Sequence, residues 1–313
     1  KIFLTVFSVS SALICINGIY QYFAGYEFIR GQPFDGRMSS SFRQANDFAA
    51  YLVAAIPVLF ALFTAGILRT KKTDGFSDPD HFVLHFGKLK IFSFMLFVMA
   101  AICLGFTYSR GAWVAFCFSL GTFAVLNRKL FLPFALTIII FFSAFYPKLL
   151  EERPPINSMV TFYWQNNRLV YWQRALDIIK DYPIFGAGTN TYSLVSQRYT
   201  NGWGGYPHNS YLQLFAETGL IGTAILFWML AALFTCSFRA QRVMQTQSLR
   251  MLLIGVSAGL FGFLVHSFFD TNFYSVQLGS FMWLFMGLIV AIEKIGMHEE
   301  GIAQNTVVPQ QVL

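Results

Sequence analysis

The chain contains a series of long apolar runs, and these constrain its fold more than any other feature. A helix that crosses the hydrocarbon core of a bilayer needs roughly 17–25 residues. We count eight runs that approach this length: 2–24, 48–68, 91–107, 111–126, 130–147, 214–236, 251–269 and 273–292. A soluble domain could not bury so many of them in a chain that is 56% hydrophobic and only 12% charged. The sequence therefore predicts an all-α, polytopic integral membrane protein with about eight transmembrane helices.

The apolar runs divide the chain into three parts. Residues 1–147 are predicted to form N-terminal transmembrane helices, and residues 148–213 one long loop with short helices. Residues 214–313 are predicted to form C-terminal transmembrane helices and a polar tail, which we expect to be disordered from residue 295 onward. The first apolar run begins directly after Lys1, with no charged segment before it. We therefore expect the chain to be truncated at its N-terminus.

Basic residues in the short loops indicate the orientation, because Lys and Arg favour cytoplasmic loops. Alternation of the eight spans places three basic loops on one side, which we assign to the cytoplasm: 69–90, 128–129 and 239–250. The long loop then lies on the outer side. Basic residues are about equally numerous on both sides, so total charge does not decide the orientation. The net charge of +7 is ordinary for a membrane protein, and no basic tail suggests nucleic acid as a partner.

Arginines and histidines gather on the predicted outer side. They come from four separate segments, which are expected to converge at one end of the bundle. These residues are Arg37 and Arg43 in the first outer loop, Arg110 in a tight turn, Arg168 and His208 in the long loop, and His266 close to Asp270 near the end. A cationic pocket at the membrane surface suits an anionic group that is attached to a lipid.

The tight turn around Arg110 holds its guanidinium at or just below the headgroup level. Arginine is costly there unless it reaches the interface or is paired. One interpretation is that Arg110 extends to lipid phosphates. The other is that it grips a phosphate of a substrate with two parallel hydrogen bonds, which suits its planar fork.

Arg168 is predicted to lie in the first turn of a helix. Asparagines 166–167 can cap a helix over about 168–181. A cation is unfavourable at that end of a helix, so its presence invites a functional reason. The helix end and Arg168 together would attract an anion. The alternative is an ordinary ion pair between Arg168 and a glutamate at 151–152.

His208 is predicted to lie just outside the start of a helix. The stretch 210–213, SYLQ, fits a capping box, so the helix should begin at Asn209 or Ser210. The helix dipole opposes a positive charge before that end, which should lower the pKa of His208 and keep its ring neutral. A neutral imidazole can act as a general base. The alternative is a histidine that only marks the membrane interface.

Glycines punctuate the outer part of the chain. The stretch GAGTN (186–190) is not a dinucleotide-binding fingerprint, because no strand precedes it. We interpret it as a turn that reverses the chain. Gly219 and Gly222 are expected to let their helix pack closely against other helices.

Three elements resemble the O-antigen ligase and polymerase superfamily of bacterial envelope glycosyltransferases. They are TYSRGAW (107–113), NNRLVYWQRALDIIKDYPIFGAGTNTY (166–192) and PHNSYLQLFAETGLIG (207–222). Their order, spacing and side of the membrane match the family. The flanking stretches RMSSSFRQANDFAAYLV (37–53) and HSFFDTNFY (266–274) also look like family segments. The resemblance implies a C-type glycosyltransferase helical bundle in the bacterial inner membrane, with its active site facing the periplasm.

The resemblance also implies the reaction and the roles of residues. A glycan would move from an undecaprenyl-diphosphate carrier to an acceptor hydroxyl, such as that of a lipid A-core sugar, without a metal or another cofactor. His208 would deprotonate or orient that hydroxyl, and Arg110 and Arg168 would hold the diphosphate. Further candidates are Arg37 and Arg43, which match less firmly and would guide the donor, and Asn209, His266 and Asp270 as supporting residues.

Several alternatives remain open from the sequence. The protein could polymerise glycan repeats or glycosylate a protein, since these reactions share the donor site. A transporter for a lipid-linked glycan belongs to a different class, and it would be expected to carry ionisable residues at mid-membrane depth. In this sequence the charges lie at the ends of the spans. A non-catalytic scaffold would tolerate the loss of His208 and the arginines.

Overall fold

The fold is entirely helical in the part of the chain that the structure describes. A computed structural model describes residues 2–67, 87–152, 159–199 and 205–307. These described residues contain no strand; one isolated bridge joins Tyr26 and Pro33. The prediction of an all-α membrane protein is confirmed. Most of the predicted loop 69–90 and the last residues of the tail lie outside the described ranges.

Ten α-helices follow one another along the described residues. They are α1 (Ile2–Ala24), α2 (Ala45–Ile67), α3 (Gly87–Phe106), α4 (Arg110–Leu126), α5 (Phe131–Glu152), α6 (Met159–Asp181), α7 (Tyr192–Val195), α8 (Ser210–Val243), α9 (Gln247–His266) and α10 (Val276–Val307). Short 3₁₀ turns lie at Arg128–Leu130, Ser196–Tyr199 and Asn272–Tyr274. The predicted disorder from residue 295 onward is wrong up to Val307, because α10 continues through it.

Six helices of the described chain are long and apolar enough to cross a membrane. They are Ile2–Ala24, Ala45–Thr64, Arg128–Lys148, Ser210–Val243, Gln247–His266 and Val276–His298. The other two predicted spans correspond to Ile91–Phe106 and Arg110–Leu126, which are apolar but shorter. The predicted count of eight is therefore not confirmed, although every predicted span corresponds to an apolar helix.

Helices α2 and α9 form the centre of the bundle. Nearly all of α2 is buried, as expected for a helix that is apolar all round. The two backbones approach closely at Gly259, where an added Cβ would lie 2.3 Å from the carbonyl oxygen of Ala54. Ser119 of α4 donates a hydrogen bond of 2.9 Å to the carbonyl of Ala258. Small side chains thus allow three helices to meet, as is usual in membrane bundles.

Helix α8 consists of two helical parts that meet at Gly219. The backbone there has φ 65° and ψ −166°, which interrupts the helix after residue 218. The expectation that Gly219 packs against another helix is wrong, because Gly219 lies against the turn at residue 184. The three atoms nearest to an added Cβ at Gly222 belong to Thr218 in the same helix, so the expectation for Gly222 stays a prediction.

The predicted long loop folds onto the first part of α8. A small apolar core joins Ala175 and Ile178 of α6, Tyr192 and Val195 of α7, and Ala216 of α8. This core attaches the long loop to the helix that begins just after His208. The division of the chain into three parts stays a prediction.

Candidate active site

The segments that carry the predicted site residues meet at one end of the bundle. The amide of Met38 in the first loop donates to the carbonyl of Phe106 at the end of α3, over 3.0 Å. The amide of Ser210 donates to the carbonyl of Ser267 after α9, over 2.8 Å. Gly111 of α4 lies so close to Phe269 that an added Cβ would be 2.7 Å from the phenylalanine Cβ. The predicted convergence of these segments is confirmed.

His208 lies in a constrained backbone just before α8. Its φ is 48°, in the left-handed region that side chains other than glycine rarely adopt. The preceding carbonyl, of Pro207, accepts a hydrogen bond of 2.9 Å from Nε1 of Trp172 in α6. Strained residues of this kind persist where surrounding structure holds them, and they cluster at functional sites. The position of the His208 ring therefore depends on α6 as well as α8.

The start of α8 is as predicted, but its cap is different. The Oδ1 atom of Asn209 accepts hydrogen bonds from the amides of Tyr211 and Leu212, over 3.0 and 3.1 Å. The predicted capping box is wrong, because Ser210 and Gln213 are engaged elsewhere. The Ser210 hydroxyl donates to the backbone carbonyl of residue 270, over 2.8 Å. Asn209 thus caps the start of α8 directly beside His208, and its supporting role in the reaction stays a prediction.

His208 and Asp270 form a close pair. Nδ1 of His208 lies 3.1 Å from Oδ1 of Asp270, and the histidine side chain is 38% exposed whereas the aspartate side chain is 7% exposed. The amide of Thr271 donates to the same carboxylate oxygen, over 2.9 Å. Burial opposes ionisation of Asp270, but the hydrogen bond and charge of His208, the charge of His266 and the Thr271 amide together hold its pKa well below the usual range.

The ionised carboxylate determines the chemistry of the ring. A carboxylate can only accept hydrogen bonds, so Nδ1 of His208 must be the donor towards Asp270. In a neutral ring this leaves Nε2 with a free lone pair, which is the form that a general base needs. The prediction that the helix dipole keeps His208 neutral stays a prediction.

A chain of hydrogen bonds continues from Asp270 to the first loop. Nδ2 of Asn46 donates to Oδ2 of Asp270, over 2.8 Å. Oδ1 of Asn46 accepts from Nη2 of Arg37, over 2.7 Å. Nε of Arg37 donates to the carbonyl of Thr107, over 2.8 Å. Arg37 therefore holds Asn46 in one orientation, a role that the sequence did not suggest, whereas its predicted role towards a donor is untested.

The remaining predicted arginines have different surroundings. Arg110 is the first residue of α4 and is partly exposed. Arg43 is exposed, and its charge acts on the carboxylate of Asp47 in the first turn of α2. Arg168 is partly exposed and lies near enough to the buried His266 to act on it electrostatically. The role of these three arginines towards a donor stays a prediction.

The predicted start of the helix that carries Arg168 is wrong. Helix α6 begins at Met159, so residues 166–167 lie inside it and do not cap it. Arg168 is therefore well beyond the first turn, and the argument from the helix end does not apply to it. The alternative pairing with a glutamate at 151–152 concerns side chains outside the described residues.

His266 is buried beneath the pair and is bonded to the protein. Its side chain is almost inaccessible. Its Nδ1 atom lies 2.9 Å from Nδ2 of Asn272, which also donates to the Ser267 hydroxyl over 3.1 Å. His266 therefore supports the loop that carries Asp270 and has no path to a substrate hydroxyl.

Glu217 is a second buried acid that the sequence analysis did not assign to the site. Its carboxylate accepts from the amides of Asn190 and Tyr192, over 2.7 and 3.1 Å, and from Nε2 of Gln213, over 3.2 Å. These bonds join the 186–190 turn to the first part of α8. An acid within an apolar run is the signal that could have identified it.

An apolar groove opens beside the pair. It lies between α4, α8 and α9 and has a volume of about 910 Å³. Tyr211 and Phe268 line the groove near His208, and Phe118 and Ala231 line it further along the helices. The groove therefore connects the polar end of the bundle with its apolar, membrane-spanning part.

Metal-ligating side chains are not grouped in the described ranges of the chain. Among those residues, no three His, Cys, Asp or Glu side chains lie where they could hold a metal ion together. The four cysteines, Cys15, Cys103, Cys117 and Cys236, are unpaired thiols. The expectation that the reaction needs no metal stays a prediction.

Comparison with known protein families gives one match that bears on the motifs of the site. Residues 95–227 match the family model described as O-antigen ligase. No curated protein matches the chain. The matched range includes Arg110, Arg168 and His208, whereas Asn46 and Asp270 lie outside it. The match confirms the resemblance that the sequence motifs showed.

Proposed function

We propose that this chain, as a member of the O-antigen ligase superfamily, transfers a glycan from undecaprenyl-diphosphate to a hydroxyl of a lipid A-core sugar. The family match supports a membrane glycosyltransferase of the ligase or polymerase type. The reaction would take place at the periplasmic face of the bacterial inner membrane. The observation that carries the proposal is the pairing of His208 with Asp270, over 3.1 Å, beside an apolar groove.

His208 acts as the general base in this proposal. Its Nε2 atom takes the proton of the acceptor hydroxyl while the hydroxyl oxygen attacks the anomeric carbon of the glycan. The bond between that carbon and the diphosphate oxygen breaks, and the diphosphate leaves with the electron pair. The imidazolium that forms is stabilised by the Asp270 carboxylate, which also keeps the ring in the required tautomer.

Arg110 and Arg168 bind the donor diphosphate. Guanidinium groups suit phosphate oxygens because each can donate two parallel hydrogen bonds. Arg110 is at the N-terminus of α4, where Ser109 makes no side-chain cap, so the first amides of the helix add to the favourable field for an anion. Fixed positive charges of this kind stabilise the charge that develops on the leaving group. Arg43, which is exposed, guides the donor towards them.

The polyprenyl chain of the donor lies in the apolar groove. The groove is lined by aromatic and aliphatic side chains, among them Phe269, which directly precedes Asp270 in the chain. A lipid tail placed there would bring its diphosphate to the polar end of the bundle. The membrane lipid around the protein would continue along the same surface.

The test compares the full-length wild type with His208→Ala and with the matched control His298→Ala, which removes an exposed histidine of α10. Each is expressed at equal membrane levels in a host that lacks its own ligase and polymerase and supplies an undecaprenyl-diphosphate glycan. We expect lipid A-core-linked glycan from the wild type and from His298→Ala only. Equal product from His208→Ala would exclude His208 as the base.

The same experiment separates the alternative functions. Polymeric glycan would identify a polymerase, and protein-linked glycan would identify a protein O-oligosaccharyltransferase. The absence of any product from the wild type would contradict a glycosyltransferase with this donor, and would favour a transporter for a lipid-linked glycan or a scaffold. The donor site is shared by the three transferases, so the product decides among them.

A further inference from the structure

We propose that residues 182–188, between α6 and α7, form a re-entrant turn that enters the membrane beside α8. The side chains of Ile184 and Phe185 would lie among lipid acyl chains, in the leaflet on the side of the candidate active site. The partner is therefore the lipid of that leaflet. No step of the glycan transfer depends on this turn, so the inference stands apart from the proposed function.

The break in α8 leaves two amides without helical partners. In a continuous helix the amides of Leu220 and Ile221 would donate to carbonyls four residues earlier. At Gly219 the backbone turns away, with φ 65°. The amide of Leu220 instead donates to the carbonyl of Pro183, over 2.9 Å, and that of Ile221 to the carbonyl of Ile184, over 3.3 Å.

The break also leaves two carbonyls free, and the same turn satisfies them. The carbonyl of Ala216 accepts from the amide of Ala187, over 2.9 Å, and that of Glu217 accepts from the amide of Gly188, over 3.0 Å. Segment 182–188 therefore replaces all four helical partners. Hydrocarbon contains no water that could do so, and broken helices are tolerated at membrane depth only where protein satisfies them. The exchange makes the break compatible with lipid.

The turn and the helix are in direct backbone contact. An added Cβ at Gly186 would lie 2.2 Å from the carbonyl carbon of Glu217, and one at Gly219 would lie 2.3 Å from the carbonyl oxygen of Ile184. Both glycines have positive φ, which other residues adopt only with strain. Segment 182–188 is thus held at the same depth in the membrane as residues 220–221, which follow the break in α8.

The tip of the turn presents an apolar surface that continues along α8. Phe185 is 77% exposed and Ile184 is 54% exposed. Leu220 and Ile221, whose amides bond to the turn, are also exposed. Because α8 is long and apolar enough to cross a membrane, its exposed face is expected to contact lipid. The tip lies on the same surface, so lipid covers it as well.

Polar groups mark where this surface ends. Asp181 accepts a hydrogen bond from the Tyr199 hydroxyl, and Lys180 pairs with Asp177 over 3.0 Å on the exposed face of α6. Tyr182, the next residue, is exposed, and tyrosine is enriched at membrane–water interfaces. The chain therefore passes from polar to apolar surroundings between Asp181 and the tip.

The test measures the depth of single spin labels in the full-length protein in liposomes. The parent carries Cys117→Ala and Cys236→Ala, because Cys15 and Cys103 are fully buried and out of reach of the label. Parent protein must remain unlabelled. The label is then attached at Phe185→Cys, and its collisions with oxygen, which concentrates in hydrocarbon, are compared with those of a water-soluble nickel complex.

Labels at two reference positions show which collision ratios correspond to lipid and to water. Ile225→Cys reports the exposed, apolar face of α8, and Lys180→Cys reports the polar face of α6. We expect the ratio of oxygen to nickel collisions at position 185 to exceed that at 180 clearly and to approach that at 225, which lies about one helical turn further along α8. A ratio equal to that at 180 would show a tip in water, and protection from both reagents would show a protein partner. Either result would overturn the proposal, whatever the enzymatic activity.

Discussion

Replacing Asp270 with asparagine should sharply lower glycan transfer, because an amide cannot satisfy the groups that converge on this carboxylate. The Nδ1 atom of His208 and the amide of Thr271 donate to Oδ1, and Nδ2 of Asn46 donates to Oδ2. The side-chain amide of Asn46 cannot flip, because its oxygen accepts a hydrogen bond from Arg37. An asparagine at 270 can place its NH₂ group either towards Nδ2 of Asn46 or towards His208 and the Thr271 amide. In both orientations its NH₂ group meets another hydrogen-bond donor.

The size of the effect follows from the bond that is lost. A hydrogen bond to a charged group contributes about 1.5–3 kcal/mol. If the hydrogen bond from His208 to the Asp270 carboxylate stabilises the imidazolium in the transition state by this free energy, loss of the bond slows glycan transfer by about 10- to 150-fold. If the NH₂ group of the introduced asparagine faces the ring, Nδ1 becomes an acceptor and Nε2 carries the proton. Nε2 can then no longer act as the base, so the rate of transfer should fall by about 150-fold or more.

A double variant tests the geometry directly. In Asn46→Asp with Asp270→Asn, the carboxylate at 46 accepts from Arg37 and from the new amide at 270. The amide oxygen then accepts from His208 in the required tautomer. A neutral acceptor forms roughly half as strong a bond as a charged one. Half of the lost free energy corresponds to about a 3- to 12-fold recovery over Asp270→Asn.

The assay is the initial rate of glycan transfer by the full-length protein in proteoliposomes, with thermal unfolding measured on each variant. Asn46→Asp alone places two carboxylates side by side and should be impaired. The reasoning would be refuted if Asp270→Asn kept wild-type activity. It would also be refuted if the double variant, folded as well as Asp270→Asn, were no more active than it.

Three further predictions concern stability and the donor. Because the pKa of Asp270 is lower in the folded protein than in the unfolded chain, its stabilisation is present above about pH 4 and should be lost as the pH falls further; Asp270→Asn should flatten that part of a melting-temperature profile. Gly219→Ala should destabilise the protein by about 1–3 kcal/mol, because the backbone at Gly219 has φ 65° and ψ −166°, a conformation open almost only to glycine. Gly287→Ala, which has open space around it, should not destabilise the protein. Chemical unfolding in detergent compares the two variants. Ala231→Trp should fill the groove and raise the KM for the lipid-linked donor, whereas Ala232→Trp on the same helix, which does not line the groove, should leave it unchanged.

Local signals predicted the start of α8 but not that of α6. Asn209 caps α8 because Pro207 and the left-handed backbone of His208 end any helix before it. Asparagines 166–167 offered a similar signal, but the seven residues from Met159 to residue 165 include no glycine or proline. A helix can therefore run through the asparagines, and a capping residue acts only where the preceding chain leaves the helix.

The support of the candidate base could not be predicted from the sequence. Asn46 and Asp270 are 224 positions apart, and His208 and Asp270 are 62 positions apart. Neither spacing has a local signature. The sequence placed these residues on the same side of the membrane. Only the packing of α2 against α9, and of the start of α8 against the end of α9, brings them within hydrogen-bonding distance.

The amino-acid sequence by itself determined that this chain is a bundle of membrane helices with cationic and histidine-bearing loops at one end. It could do so because the length of an apolar run, its caps and its flanking charges are local properties that the bilayer selects. Tertiary structure alone decided that Asp270 faces His208 and that Arg37 fixes Asn46. It also decided that a turn at 182–188 supplies the backbone hydrogen bonds that are missing at the break in α8. These pairings depend on how distant helices pack, and that is set by side-chain volumes and close backbone contacts across the whole bundle.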